Sequence, residues 1–169
     1  MTAGASAAKN GSSVLVFLIA GERHAVSATA VLEIVRAVAV TPLPGAPRVI
    51  IGVVDRRGDV VPVMDLRRRF GHEPSGPRID EHLIFVTSGT RRLALKVDAA
   101  LEIIALTAGE LVAAQTFVTR SGTVAGVARL ADGLVLVHDL VAFLDQAESA
   151  ELDAALEARG SARGAGGAA

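Results

Sequence analysis

Apolar residues in this chain come in short runs broken by turn formers, not at helical spacing, and the pattern predicts a succession of brief strands. Residues 14–19 form an apolar run ended by Ala20-Gly21-Glu22, and the chain resumes over 23–26, which reads as a hairpin. Ser27 is placed to cap one turn over 28–31, after which the β-branched stretch 31–35 returns to strand. Residues 41–47 hold three prolines, which lack donors and bias the residues before them toward extended geometry, so this is a stiff loop. Strands over 49–54 and 60–64 flank a turn at Asp55-Arg56-Arg57-Gly58-Asp59, and Pro62 inside the second argues for an edge or a bulge there. Asp65 then caps a short helix that stops at Gly71.

Residues 72–78 are a linker of turn formers. Beyond it the pattern predicts strands over 82–87, 92–97, 103–106, 116–119, 123–130 and 134–138, with turns at Ser88-Gly89-Thr90 and Asp132-Gly133. Thr107 and Glu110 have the capping-box spacing, which predicts a short helix over 108–113. From Asp139 onward Leu140, Phe143, Leu144, Leu152 and Leu156 predict a helix docked by one face, extending over 146–160. The small, polar residues 1–13 and the Gly/Ala tail 161–169 are expected to be disordered.

The pattern occurs twice. Gly52-Val53-Val54 precedes Val61-Pro62-Val63-Met64-Asp65-Leu66, and Gly126-Val127-Ala128 precedes Val135-Leu136-Val137-His138-Asp139-Leu140, each aspartate following its glycine by 13 positions. Upstream, residues 14–17 answer 82–85, and Leu32-Glu33-Ile34 answers Leu101-Glu102-Ile103. Two copies are too few for a solenoid, so the expected body is a single domain over 14–145 made of two similar lobes, about 14–71 and 82–145, which can exchange strands. Many short strands with little helix make the fold class all-β, with two small five-stranded barrels.

Composition narrows the function. A chain of 169 residues can bury a real core, and although 51% of it is apolar, polar residues and Pro42 interrupt every stretch before the roughly 18 residues that would cross a bilayer. No signal-peptide pattern opens the chain, so a cytoplasmic protein without membrane insertion is expected. A net charge of −1 and five aromatic residues, all Phe, leave no basic footprint and few stacking platforms for nucleic acid. The lack of cysteine excludes thiol chemistry and Cys-based metal sites.

In their order and spacing, residues 41–47, Gly52 to Gly58 and Val61 to Arg67 resemble the CheW-like domains, the adaptors of bacterial chemosensory arrays. Val31-Leu32-Glu33-Ile34 matches that family's Val-x-Glu-hydrophobic element, and Leu95-Lys96-Val97-Asp98 its second-half valine-aspartate. The resemblance spans about 14–144. It implies a non-enzymatic scaffold without cofactors. Its partners would be the regulatory domain of a CheA-type histidine kinase, the cytoplasmic tip of a chemoreceptor, and other CheW-like domains. It further implies that Val31, Glu33, Asp55, Arg56, Arg57 and Gly58 carry partner binding. Where the family has Asn-Leu-Arg-Gly at the turn, this chain has Asp55-Arg56-Arg57-Gly58. A cation in place of a buried leucine forfeits roughly 1.5 to 3 kcal/mol of apolar burial, which implies a non-standard receptor or pathway.

Other chemistry is thin. On charge alone the 55–59 turn is a solvated hairpin tip, since exposed ion pairs contribute about 0 to 1 kcal/mol. His138-Asp139 has the makings of a catalytic pair, but His138 stands at the repeat position of Met64 and Asp139 at that of Asp65, so a strand end with a helix cap is the simpler account. His24, His72 and His82 are scattered, without the spacing of a helical metal pair. Arg67-Arg68-Arg69 fits a solvated helix C-terminus. The alternative to an adaptor is a small-molecule-binding sensory module that uses the cleft between the lobes.

Overall fold

The computed structural model describes residues 12–76, 78–113 and 123–166, the side chains of 162–166 excepted. The strands are β1 (Ser12–Ile19), β2 (Glu22–Ser27), β3 (Val31–Arg36), β4 (Ile50–Arg56), β5 (Asp59–Asp65), β6 (His82–Ser88), β7 (Arg91–Val97), β8 (Ala99–Leu106), β9 (Leu111–Ala113), β10 (Val124–Leu130) and β11 (Gly133–His138). Helix α1 (Leu66–Arg69) follows β5, α2 (Gln146–Gly166) closes the chain, and 3₁₀ turns lie at Ala28–Ala30 and Leu140–Phe143. Among the described residues no helix is long and apolar enough to cross a membrane.

The all-β expectation holds, but the sequence halves are not the layers in space. One sheet runs β8-β1-β2-β11-β10-β9 and the other β3-β6-β7-β5-β4. Exchanging each strand of the second order for its repeat counterpart reproduces the first, with β9 added as a sixth strand. Each sheet therefore takes the opening hairpin of one half and the remaining strands of the other, four in the six-stranded sheet and three in the five-stranded one. The chain changes sheets at the Ala28–Ala30 turn and again at Asp98, and the halves join through two parallel seams, β2 with β11 and β5 with β7. The two five-stranded barrels are thus corrected to open sheets of six and five strands, whose end strands do not pair with each other.

Strand exchange explains the apolar excess, because the sheets bury side chains on both faces. Leu15, Phe17 and Ile19 of β1 enter a central cluster with Met64, Ile84, Leu93, Leu95 and Phe143, while Val14 and Val16 enter a second cluster with Ala128, Val135 and Val137. On the other sheet Ile84 and Val86 join the central cluster, and Leu83 and Phe85 join a third with Val54, Val61 and Val63. A strand alternating between two cores reads as a continuous apolar run.

The repeated glycines have a steric cause. A Cβ on Gly52 would lie 2.1 Å from the Thr41 carbonyl oxygen, and one on Gly126 would lie 2.7 Å from that of Val112. In each copy a neighbouring backbone crosses where only a hydrogen fits. Thr41 exchanges hydrogen bonds with Val53 in both directions, 2.9 and 2.8 Å. Those bonds turn the Val53 backbone away from β5, so the Val53–Pro62 pair is a non-hydrogen-bonded one. Pro62 also precedes the β5–β7 ladder, which begins at Val63. It therefore sits inside the sheet without removing a ladder bond, neither at an edge nor at a bulge; the bulge falls between Ile50 and Gly52 on β4.

Several expectations change. The helix over 108–113 is absent. Glu110 does accept the Thr107 N–H through its carboxylate (2.7 Å), but Gly109 at φ 97° ends the turn and the chain enters β9, paired with β10. A true reciprocal capping box lies at the start of α2, where Asp145 accepts from Glu148 N–H (2.7 Å) and Glu148 from Asp145 N–H (3.1 Å). That helix buries Leu152 and Ala155 in the central cluster and continues through Gly166, so the tail expected to be disordered from 161 is helical that far. At the other end Ser12 and Ser13 belong to β1, paired with Leu106 and Ala105, and not to a disordered terminus. The strand expected over 116–119 and the terminus over 1–11 lie outside the described residues.

Candidate partner-binding surface

The β4–β5 hairpin closes on two residues, Arg57 at φ 53° and Gly58 at φ 90°. Two consecutive positive φ values are what a two-residue hairpin demands, and a non-glycine residue at the first of them is uncommon. Asp55 makes the conformation affordable by accepting the Gly58 N–H on Oδ1 at 2.8 Å. The turn thus presents Arg57 outward, its side chain 79% exposed.

Glu33 approaches this turn from β3. Strands β3 and β4 are the two ends of the five-stranded sheet, and the sheet curls until they meet through side chains. Arg56 Nε donates to Glu33 Oε2 at 2.8 Å, Arg57 Nη2 lies 3.9 Å from Glu33 Oε1, and the Arg56 guanidinium sits 5.5 Å from the centre of the Phe85 ring. The residue that departs most from the expected apolar turn is therefore half-buried, paired and stacked. Glu33, Asp55, Arg56, Arg57 and Gly58 come together as one charged corner. Val31 does not join them, since it packs against the central cluster.

Sequence reasoning missed the exposed apolar residues beside this corner. Leu32 and Ile34 flank Glu33 and are 44% and 38% exposed. A bulge between Val31 and Glu33 turns Leu32 outward, and its counterpart between Val16 and Phe17, opposite Leu101, does the same in the other copy. Leu101 and Ile103 are likewise exposed. An all-apolar run hides which residues face out; two matching bulges decide it.

The other charged cluster is internal. Arg67 of α1 grips Asp98 with two hydrogen bonds of 2.7 Å, and Asp98 also accepts the Ala20 N–H at 2.8 Å. Burial pushes the Asp98 carboxyl up, but Arg67 and the Ala20 N–H outweigh it and hold it below the ordinary carboxylate value. Asp98 thereby locks the point where the chain changes sheets to the first hairpin and to α1.

Asp139 caps the 3₁₀ turn, accepting from Val141 N–H at 3.0 Å, as the repeat implies. His138 is not its partner. It is buried against His24, with Nδ1 of His24 2.9 Å from Nε2 of His138, so the scattered histidines of the sequence include a pair that the fold assembles. A cavity of about 380 Å³ opens where the sheets meet, lined by Ser12, Ser27, Thr87, Leu111, Asp139 and Val141 among others. Among the described residues no group of three or more His, Asp or Glu side chains is arranged to hold a metal ion.

Residues 13–148 match the family described as the CheW-like domain. The chain is 29% identical over 147 residues to the chemotaxis protein CheW of Klebsiella aerogenes, covering 85% of this chain and 87% of that protein. It is 28% identical over 143 residues to the chemotaxis protein CheW of Bacillus subtilis, covering 83% and 92%. The crystal structure of the scaffolding protein CheW from Thermoanaerobacter tengcongensis is similar to it with a TM-score of 0.75 at 28% identity, over 81% of this chain and 94% of that one.

Proposed function

From the premise that this chain belongs to the CheW-like domain family, we propose that it is a non-enzymatic cytoplasmic adaptor that couples chemoreceptors to a CheA-type histidine kinase in a bacterial chemosensory complex. The observation that carries the proposal is the likeness over most of both chains to proteins named for chemotaxis and scaffolding. The fold supports it physically. Two lobes related by an internal repeat offer matching faces, so one protein can bridge two partners. Joints of about micromolar strength, roughly 8 kcal/mol each, suffice once repeated contacts raise the effective concentration.

The charged corner is the proposed docking element. Arg57 is 79% exposed and only loosely paired with Glu33, at 3.9 Å, and its planar fork is suited to a carboxylate or carbonyl on the partner. Gly58 and Asp55 hold the turn, Glu33 and Arg56 brace it from behind, and Leu32 and Ile34 supply apolar area at its side. Val31 belongs to the support of this surface. The altered turn residues Asp55 and Arg56 favour a receptor or pathway other than the family's usual one, because Arg56 is engaged with Glu33 and Phe85 and offers no apolar contact. The small-molecule alternative has no support from the relatives.

Titration calorimetry with the regulatory domain of the cognate kinase and with the cytoplasmic tip of the cognate receptor tests this. The wild-type chain is expected to bind at micromolar concentration and Arg57→Ala to bind at least tenfold more weakly to one partner. No heat with either partner at several hundred micromolar would overturn the adaptor reading. Binding unchanged by Arg57→Ala would leave the adaptor in place and remove the corner from its interface.

A further inference from the structure

At the parallel seam between β2 and β11, His24 and His138 take the places that Leu93 and Met64 hold at the β5–β7 seam of the other copy. The repeat's own solution for this position is apolar, and this seam departs from it. The two imidazoles are 95% buried and joined by the 2.9 Å Nδ1–Nε2 hydrogen bond. Phe70, at the end of α1, lies over both rings, 4.7 Å from His24 and 4.6 Å from His138, and Phe143 packs beside it, 5.7 Å from His138 and edge-on to Phe70 at 6.1 Å. His138 Nδ1 is 3.1 Å from the Thr123 hydroxyl. Among the described residues His24 Nε2 has no hydrogen-bond partner; it is buried and faces a cavity of about 460 Å³.

We propose that the His24–His138 pair is a proton-operated latch on the seam between the two sequence halves, closed while the imidazoles hold at most one extra proton between them and opened by the second.

The geometry sets that count. A ring nitrogen must donate and the facing one accept, so the neutral pair is bonded in either tautomer order. One added proton preserves the bond. Placed on His138, it leaves Nε2–H donating to His24 and Nδ1–H donating to Thr123. Placed on His24, it directs Nε2–H into the cavity, where the Glu22 carboxylate is 3.9 Å away. A second proton sets two N–H groups head to head, and no arrangement of these rings keeps the bond. Among the described residues the charged groups facing the pair are few. From β2 comes Glu22, and from the end of α1 and the turn after it come Arg69, held by Glu148, and His72. Asp139, next to His138, is occupied with its cap. Of these, Glu22 favours protonation. Burial works against it at both rings, pushing His24 down and His138 down to about 3, so the latch stays closed at neutral pH.

Opening would release Phe70 and with it the end of α1, and would part β2 from β11 while the β5–β7 seam holds. Hydrogen exchange on the full chain, read as protection factors across pH 7 to 4, tests this. An opening coupled to one proton grows about tenfold per pH unit and one coupled to two about a hundredfold. The protection of β2 and β11 is expected to fall with pH more steeply than tenfold per unit, ahead of β5 and β7. The double variant His24→Leu with His138→Met, which copies the apolar seam, is expected to lose protection at both seams in parallel. Parallel loss at both seams of the wild type, or an unchanged difference between them in the variant, would overturn the latch. Should the variant not fold, imidazole nitrogen resonances of the wild type decide the matter. His138 is expected to stay neutral well below pH 6 and His24 to titrate below its ordinary value, and two protonated rings with the β2 and β11 amides still protected would refute the proposal.

Discussion

Replacing Gly52 with alanine tests the steric account of the repeat most directly. The new Cβ would meet the Thr41 carbonyl oxygen at 2.1 Å, its carbon at 2.7 Å and the Val40 Cγ1 at 2.8 Å. Two of those are backbone atoms that no rotamer change can move. Restoring ordinary contact, about 3.5 Å, means pushing the Thr41 segment off β4 by more than an ångström. That shift breaks both Thr41–Val53 hydrogen bonds, each contributing about 0.5 to 1.5 kcal/mol net. Overpacking adds about 1 to 3 kcal/mol. The sum is about 2 to 6 kcal/mol, a large part of the roughly 5 to 15 kcal/mol that holds a domain together. At about 2 to 4 °C per kcal/mol for a chain of this size, a loss of about 4 kcal/mol lowers Tm by roughly 8 to 16 °C. Calorimetry and urea unfolding measure it, with Gly76→Ala as control, since nothing lies within 4 Å of a Cβ there and it should shift stability by less than about 0.5 kcal/mol. A Tm for Gly52→Ala within about 2 °C of wild type, at an unchanged urea m-value, would refute the reasoning.

Arg57→Ala is expected to leave stability within about 0.5 kcal/mol by urea unfolding, because the side chain is 79% exposed, so any loss of partner binding it causes is a surface effect. Arg67→Met strands the Asp98 carboxylate and should cost about 2 to 4 kcal/mol at neutral pH. Its sign with pH follows from the depressed Asp98 value: the pair stabilises above about pH 4 and is lost as pH falls through the folded carboxyl's lower value, so unfolding at about pH 3 should show a smaller gap between variant and wild type. For His138, pushed down to about 3 in the folded chain against about 6.5 unfolded, the unfolded state binds a proton that the folded state refuses. Stability is therefore complete above about pH 6.5 and falls by about 1.4 kcal/mol per unit toward pH 3, about 5 kcal/mol in all, and His138→Met should flatten that slope in urea unfolding followed against pH.

Much of the architecture was legible in the residues, because short apolar runs between turn formers carry their own geometry. The strand-rich class, the Ala20-Gly21 and Arg57-Gly58 hairpins, the Asp65 and Asp139 caps and the helix after residue 145 all rest on interactions within a few residues of chain. The repeat was legible too, and with it the family resemblance, which named Glu33 and residues 55–58 without bringing them together. Where a local signal met a stronger one it failed, as at Thr107, whose capping spacing yields to Gly109 and to pairing of β9 with β10.

What only the tertiary structure decided is how the halves share their strands. Pattern and spacing record that residues 14–71 and 82–145 are alike, but not that each sheet takes the opening hairpin of one and the remaining strands of the other, since like halves can pair within themselves or across. The same non-local choice placed Arg56 on Glu33 across a curled sheet, turned Leu32 and Leu101 outward at matching bulges, and explained both repeated glycines by a crossing backbone. It also set His24 against His138, 114 positions apart in the chain. Interactions over a few residues are written in sequence because covalent geometry enforces them; contacts across sheets depend on how two buried faces pack, and no run of residues states that.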